Sequence, residues 1–443
     1  MSIFNYIKRK LAASDKGPDI KFGRHTINAK LQEEQALLGE AIRLYEDEEL
    51  LPSIEYLLNF LRNDLEDNLS YDVQDGELFF ELYQGSKQIL GRCNDKKFVA
   101  ITHVATISKT NIGLYRKLLE RNYLFKYCRF CIDEDKLILK FDSFTMDASP
   151  QKLFYALKEM SVSADKYDDI LADEFDELEN NLSGKITQLT EEVLQTKEDF
   201  LRSQLNQSLS AIHTLKGDDE ASQALISYHL LYTNYKLDYL IKPEGFMMEI
   251  FERNHREYFE NSKQTALQKY KEIEANFQLI LDRDSDHLRE EFYQTCHTFD
   301  YTKPASHLDL KALIEKELPK AQQYYVSKKQ DIAGIVCGYI ASYSLFHYSL
   351  PAPDLDLLHL LMRVLEDPYF LSLGYTPAYV EEGMPQQAII EKKIESIKEE
   401  HLPTHPYLKI NFGKLVYRDL SSFAISFLTM VASIDIHYHK QLM

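Results

Sequence analysis

The sequence contains no tryptophan, few cysteines and fewer basic than acidic residues. Five cysteines in 443 residues are too few for a disulfide framework, and their odd number leaves one unpaired, so reduced thiols in a cytoplasmic compartment are expected. With 51 Lys and Arg against 70 Asp and Glu, the formal net charge is −19. This balance argues against a nucleic-acid-binding protein, because phosphate binding needs clustered basic side chains.

The N-terminus and one internal segment bear on export and membrane insertion. The start, MSIFNYIKRKLAAS, has no apolar run after its charges, so no export signal is expected. Residues 332–350 contain no Asp, Glu, Lys or Arg, and their length is close to the ~20 residues that span a bilayer. They also contain Gly, Ser, Tyr and His. We therefore predict a buried helix here, with membrane association as the alternative.

Motifs of common enzyme classes are absent from the sequence. It has no Walker loop, GxGxxG, HExxH or GxSxG pattern. The one CxxC, Cys128 and Cys131, has no second pair to complete a zinc site. It is predicted on a strand, where residues i and i+3 point to opposite faces, so both cysteines are interpreted as structural thiols.

Two further patterns resemble metal sites without completing them. Asp282, Asp284 and Asp286 are spaced like the start of a calcium loop, but His287 stands where glycine is required. We predict a helix terminus instead. The histidine pairs 401/405 and 437/439 have no companion carboxylate at a diagnostic spacing. The sequence therefore nominates no catalytic residue, no cofactor and no metal ligand.

Changes in pattern divide the chain into four segments. Residues 1–47 form a basic arm and a helix, and residues 48–175 form an α+β domain. Residues 176–217 form a helical connector, and residues 218–443 form an all-α domain. The acidic run 165–179 is interpreted as a solvated face or connector because it contains eight acids and one lysine.

The α+β domain is predicted from a switch of hydrophobic period between 3.6 and two. Its element order is helix, three antiparallel strands, helix, two strands, helix, followed by a mostly α-helical C-terminal region. The strands are predicted at 69–73, 77–84, 98–105, 125–132 and 136–144, and the third is predicted to be central. Helices are predicted within 48–66, from Asn111 and from Ser149-Pro150.

This order resembles that of the type III secretion chaperone-like fold, which includes the YbjN-like proteins. The resemblance is carried by the helix with Leu118-Leu119-Glu120-Arg121-Asn122, the strands YCRFCID and KLILKF, and the helix SPQKLFYALKEM. It covers residues 48–175, under a third of the chain. It implies a sheet covered by helices, a homodimer, and binding of extended protein segments without chemistry. Since secretion chaperones are small single-domain proteins, the length of this chain favours a chaperone-like module attached to a helical domain.

The predicted function is that of a non-enzymatic protein–protein interaction module, either chaperone-like or an adaptor or regulatory protein. Its partner is a protein of unknown identity, bound through exposed apolar side chains or by addition of a strand to a sheet edge. The candidate contacts are Tyr71, Val73, Phe80 and Leu82 on the sheet and Ile112, Tyr115 and Leu119 on the following helix. For each of them, a place in the protein core is the alternative to a place in the interface.

The alternative function is that of an enzyme or small-ligand-binding protein. Its site would lie in the C-terminal helical region, lined by the helix at 332–350 with His347 and His359. A pocket with converging polar groups would favour this alternative.

Overall fold

The computed structural model describes residues 17–24, 32–63, 66–215, 220–260 and 264–436. It has an N-terminal α+β region and a mostly helical remainder, which confirms the predicted fold class. Residues 1–16 and 25–31 of the predicted N-terminal segment and the histidine pair 437/439 lie outside the described residues.

The α+β region contains one sheet and four helices. The helices are α1 (Gln32–Glu46), α2 (Leu50–Leu61), α3 (Ile112–Leu124) and α4 (Pro150–Glu174). The strands are β1 (Leu69–Gln74), β2 (Glu77–Gln84), β3 (Lys87–Cys93), β4 (Lys97–Ile107), β5 (Arg129–Asp133), β6 (Lys136–Phe144) and β7 (Leu178–Asn180). The strand order is β1-β2-β3-β4-β6-β5 with every neighbour antiparallel, and β7 pairs with the end of β4.

Capping residues fix where α3 and α4 begin. The side-chain oxygen of Asn111 accepts a hydrogen bond from the Gly113 amide at 2.7 Å. The Ser149 hydroxyl accepts one from the Lys152 amide at 3.3 Å, and Pro150 occupies the first helical turn. Both helices therefore start where the N-cap preferences of the sequence predict.

The structure has four strands before α3, whereas three were predicted, and the additional strand is β3. Its interior contains Gly91, and glycine weakens a strand pattern because it offers no side chain to pack. In the sheet, Gly91 is the direct partner of Phe80 on β2. A Cβ at Gly91 would lie 1.9 Å from a carbon of the Phe80 ring. The glycine thus provides the space that the ring fills.

The two faces of the sheet differ in how they are covered. On one face α4 packs against β2, β3, β4 and β6 through buried residues that include Leu153, Leu157 and Met160. The opposite face carries the partly exposed side chains Phe79 and Ile101. The central strand β4, which was predicted as such, therefore has one covered and one open face.

After β7, the regular elements of the described residues are helices and three pairs of two-residue strands. The helices are α5 (Glu191–Thr214), α6 (Glu220–Ile241), α7 (Gly245–Phe259), α8 (Ala266–Leu281), α9 (Ser285–Glu290), α10 (His307–Val326), α11 (Gln330–His347), α12 (Ala352–Leu365), α13 (Asp367–Ser372), α14 (Gln387–His401) and α15 (Leu420–Ala432). The strand pairs are β8 (Thr187–Gln188) with β9 (Tyr293–Gln294), β10 (Lys303–Pro304) with β11 (Tyr348–Ser349), and β12 (Val380–Glu381) with β13 (Met384–Pro385). The predicted connector 176–217 is therefore only partly helical, because its first residues form β7 and β8 before α5 begins.

The apolar segment 332–350 forms most of α11 and then β11. The helix α11 packs against α6, α10 and α15, with Val336, Cys337 and Ile340 buried. The prediction of a buried helix is confirmed for this part of the segment. Among the described residues, none of the helices combines the length and the apolar character that crossing a bilayer requires.

Residues 17–24 lie against the helical region. The amide of Gly23 donates to the carbonyl of Tyr239 at 2.8 Å. The Arg24 guanidinium pairs with Asp238 and, at 2.9 Å, with Glu252. These contacts attach residues 17–24 of the predicted basic arm to the helical region.

Candidate functional site

The seven predicted contact residues differ in exposure. Val73, Ile112 and Leu119 are exposed, whereas Tyr71 and Tyr115 are half-buried and pack against the α+β core. The Tyr71 hydroxyl also accepts a hydrogen bond from Asn59 on α2 at 2.9 Å, which ties this side chain to its own domain. Three of the seven are therefore free to meet a partner.

The remaining two candidates, Phe80 and Leu82, are buried in the core and must be withdrawn as contact residues. Alternation along β2 correctly places them on one face of the strand. Alternation does not identify which face of the sheet the helices cover, and α4 covers the face that carries Phe80 and Leu82. The exposed apolar residue beside them is Phe79.

The clearest exposed apolar surface lies on α3. Ile112, Leu119, Tyr123 and Leu124 are 71, 69, 89 and 59% exposed, and we call these four residues the outer α3 face. The helix buries Leu114 and Leu118 on its other side. Tyr123 and Leu124 were not among the predicted contacts. Tyr123 stands 11 residues from Ile112 and therefore only about 20° away around the helix, whereas Leu124, at 12 residues, is turned by about 120° and lies at the edge of this face.

Two charged side chains accompany the outer α3 face. Arg116 and Glu120 are both exposed and stand one turn apart, between Ile112 and Leu124. The surface therefore has an apolar residue near each end and opposite charges near its middle.

The chain after α3 is anchored to α4 by one carboxylate. The side chain of Glu159 accepts hydrogen bonds from the backbone amides of Lys126, Tyr127 and Cys128 at 2.8, 2.7 and 3.0 Å. Three charge-assisted bonds to consecutive amides fix the link from α3 to β5. The outer α3 face is thus presented from a firmly held helix.

A second feature is a cavity of about 650 Å³ between the α+β region and the helical region. Its walls are mostly apolar, with Phe60 and Phe154 from the α+β side and Leu350 and Ile436 from the helical side. Small-molecule sites typically have this volume and an apolar lining with a few polar groups. The histidines named from the sequence for such a site, His347 and His359, do not line this cavity.

One wall of the cavity carries His307, which is held by a buried carboxylate. Its Nδ1 lies 2.9 Å from Oδ1 of Asp354. The carboxylate oxygen accepts this hydrogen bond, so Nδ1 is the donor. Within the described part of the chain, Nε2 has no hydrogen-bond partner. Burial raises the pKa of Asp354 above its usual range.

The third feature is a buried polar cluster on α4, where a solvated acidic face was predicted. Asp165 and Asp168 are buried, which contradicts that prediction for them. Asp168 pairs with the fully buried Lys87 of β3 at 2.7 Å and accepts from the Ser86 hydroxyl at 2.5 Å. These acids therefore face the sheet, because β3 supplies a cation and hydrogen-bond donors beneath α4.

Asp165 points toward the helical region and meets residues from two other segments. Its carboxylate accepts hydrogen bonds from the Ser86 amide at 2.6 Å and from the Tyr301 hydroxyl. Glu244 and His297 lie beside it, and the ligand atoms of the three residues are within 4.8 Å of one another. Burial, and then the charges of Glu244 and Asp168, raises the pKa of Asp165 to about 8.

The patterns weighed from the sequence take ordinary structural roles. Cys128 is buried before β5, and burial raises the pKa of its thiol, as expected for a structural thiol. Asp284 caps α9 by accepting from the His287 amide at 3.0 Å, which confirms the predicted helix terminus. Asp165, Glu244 and His297 could not be predicted as a cluster, because no short sequence motif links residues so far apart.

No protein-family model matches this chain, and no curated protein matches it. The likeness of residues 48–175 to the secretion chaperone-like fold therefore stays an expectation from the order of their elements.

Proposed function

We propose that this chain is a non-enzymatic protein-binding module whose contact surface is the outer α3 face. The observation that carries the proposal is the exposure of four large apolar side chains on a single helix, at 59–89%. Exposed apolar clusters on a folded chain mark interaction sites because covering them removes apolar area from water. The open sheet face is a weaker candidate, since Phe79, Leu90 and Ile101 are only 37–44% exposed.

We further propose that the partner at this surface is a second copy of the chain. In an antiparallel pair of α3 helices with a two-fold axis level with residue 118, Arg116 of one copy lies opposite Glu120 of the other. Ile112 then lies at the same height as Leu124 of the other copy. A two-fold interface makes each such contact twice, so the surface is complementary to itself in both charge and apolar character.

Charge exchange tests this arrangement by sedimentation velocity of the full chain. We expect the wild type to be dimeric, and Arg116→Glu and Glu120→Arg each to weaken the dimer because like charges then meet. Combining Arg116→Glu with Glu120→Arg restores opposite charges and should restore the dimer. A wild type that stays monomeric up to roughly 100 µM, or a double variant no better than either single one, would refute the pairing.

Removal of apolar contact is the complementary experiment. The double variant Leu119→Asp/Tyr123→Asp should be monomeric with an unchanged circular dichroism spectrum, because both side chains are exposed. Val326→Asp is the matched control, since Val326 is 82% exposed at the end of α10, away from the outer α3 face. If the control loses the dimer equally, the interface lies elsewhere.

A second candidate function, binding of an apolar small molecule, is favoured by the cavity with His307 on its wall. Since the chain has no tryptophan, Phe154→Trp places a single indole on the cavity wall. The matched control is Tyr155→Trp, because Tyr155 is the neighbouring residue and is 57% exposed. Titration with anilinonaphthalene sulfonate should quench Phe154→Trp saturably and Tyr155→Trp weakly. Equal responses of the two variants would remove this candidate.

A further inference from the structure

Three buried side chains that suit a metal ion converge where the two regions of the chain meet. Asp165 lies on α4, Glu244 directly precedes α7, and His297 lies between β9 and β10. They are 3, 4 and 8% exposed, and their ligand atoms lie within 4.8 Å of one another. Two carboxylates and an imidazole form a donor set that divalent transition metals accept.

The imidazole of His297 lacks a well-formed hydrogen bond although it is more than nine-tenths buried. Its described polar neighbour is the Thr295 hydroxyl, which lies 3.4 Å from Nδ1 and also 3.4 Å from Nε2. An oxygen equally distant from both ring nitrogens is aligned with the lone pair of neither, and 3.4 Å is long for a hydrogen bond. A buried polar group with only long, poorly aligned hydrogen bonds is costly, and the ligand atoms of two carboxylates lie within 4.8 Å of this imidazole.

The charges around the cluster leave one carboxylate without a cation. Lys242 Nζ lies 3.0 Å from Glu244 Oε1, and Lys87 pairs with Asp168. Asp165, by contrast, receives only neutral donors among its described hydrogen bonds, from Ser86 and Tyr301. A carboxylate has about four acceptor positions, so Asp165 and Glu244 both retain capacity for a further ligand.

We propose that Asp165, Glu244 and His297 bind one divalent transition-metal ion, and that zinc is the ion that suits them best. Zinc bonds nitrogen and carboxylate oxygen at about 2.0–2.2 Å in a tetrahedral arrangement, so atoms sharing one ion stand about 3.3–3.6 Å apart. From the observed limit of 4.8 Å, the ligand atoms would have to approach one another by roughly 1.2–1.5 Å. Calcium, which takes 6–8 oxygen ligands, fits a donor set with an imidazole poorly.

The ion would act as a structural link. It joins α4 of the α+β region to the segment before α7 and to the loop after β9, so it crosses from one region to the other. Because all three ligands are buried, the site offers no open face to a substrate, and a water molecule would complete the tetrahedral coordination of the ion. This inference goes beyond the proposed protein-binding function and does not depend on it.

The first test uses the unmodified full chain and needs no variant. Protein purified without affinity metals and dialysed should retain about one zinc per chain by mass spectrometry. Chelation should lower Tm by roughly 5 °C, and added zinc chloride should restore it. Recovery with manganese chloride but not with magnesium or calcium chloride also supports the site. Protein that carries less than about a tenth of an equivalent and does not respond to zinc or manganese overturns the proposal.

The second test assigns the ligands. His297→Asn should retain no zinc, and its Tm should not respond to zinc chloride. His401→Asn is the matched control, because His401 is equally buried but bonds to Asp356 at 2.6 Å in the helical region. The control should lose stability while keeping the full zinc response. Unchanged zinc content in His297→Asn overturns the assignment, and if this variant does not fold, Glu244→Gln replaces it.

Discussion

The side-chain amide of Asn122 makes both backbone hydrogen bonds that Phe130 offers at the open edge of the sheet. The Phe130 amide donates to Asn122 Oδ1 at 2.6 Å, and the Phe130 carbonyl accepts from Asn122 Nδ2 at 3.0 Å. Asn122 therefore takes the place of a neighbouring strand beside β5. Unpaired edges invite pairing with other chains, so this contact protects the edge where strand addition was considered from the sequence.

Replacing Asn122 with alanine should expose that edge. We expect the free energy of unfolding to fall by about 1–3 kcal/mol, because a half-buried amide and carbonyl lose their partners. The variant should also self-associate with rising concentration through β5. Chemical denaturation and light scattering measure the two effects. Asn206→Ala, at an exposed position on α5, is the control, and equal losses in both variants would argue against a special role for Asn122.

The packing of Phe80 on Gly91 makes a second prediction. Gly91→Ala should destabilise the protein by about 1–3 kcal/mol, since its Cβ overlaps the aromatic ring and forces side chains to shift. Phe80→Leu should cost a similar amount because it leaves unfilled space. The double variant should lose less free energy of unfolding than the two single variants together, and the difference should be at least about 0.5 kcal/mol. Strict additivity in this double-mutant cycle would show that the two positions do not share space.

Lys87 provides a third prediction through its contacts below α4. Its ammonium pairs with Asp168 and donates to the carbonyls of Val104 and Asn181 at 2.9 and 2.6 Å. Lys87→Met leaves Asp168 buried without its cation, so we expect a loss of about 3–5 kcal/mol. The double variant Lys87→Met/Asp168→Leu should recover part of it.

The comparison for Lys87 is an exposed ion pair on the same sheet. Lys97 lies 2.8 Å from Asp142, and both side chains are 40% exposed or more. Lys97→Met should cost less than about 1 kcal/mol, because solvent screens this pair. If Lys87→Met proved equally mild in urea denaturation, the buried pair would not hold α4 to the sheet.

The sequence allowed prediction of features that depend on local pattern, and it failed where distant segments decide the environment. N-caps at Asn111 and Ser149 and the buried helix at 332–350 follow from short-range chemistry. The burial of Phe80 depends on which face of the sheet α4 covers, and alternation alone does not specify this. The buried state of Asp165 likewise depends on Ser86, Glu244 and Tyr301, which reach it only through the tertiary fold.

The last prediction concerns Lys197 and the dependence of the free energy of unfolding on pH. Its ammonium is fully buried in α5 and donates to the Ile241 carbonyl at 2.6 Å. Burial, and then the charge of Lys242, lowers the pKa of Lys197 to about 7. Between this value and the ordinary lysine pKa near 10.5, the unfolded chain binds one more proton than the folded chain. The free energy of unfolding should therefore rise with pH across that interval, by up to about 5 kcal/mol.

Lys197→Met should remove this rise and increase stability at neutral pH. The gain is reduced by about 1–3 kcal/mol because the Ile241 carbonyl loses its donor. Urea denaturation from pH 7 to pH 10 measures both slopes, and Lys316→Met is the control, since the Lys316 side chain is 75% exposed. If wild type and Lys197→Met gain stability equally over this range, the buried ammonium of Lys197 is not the group that titrates.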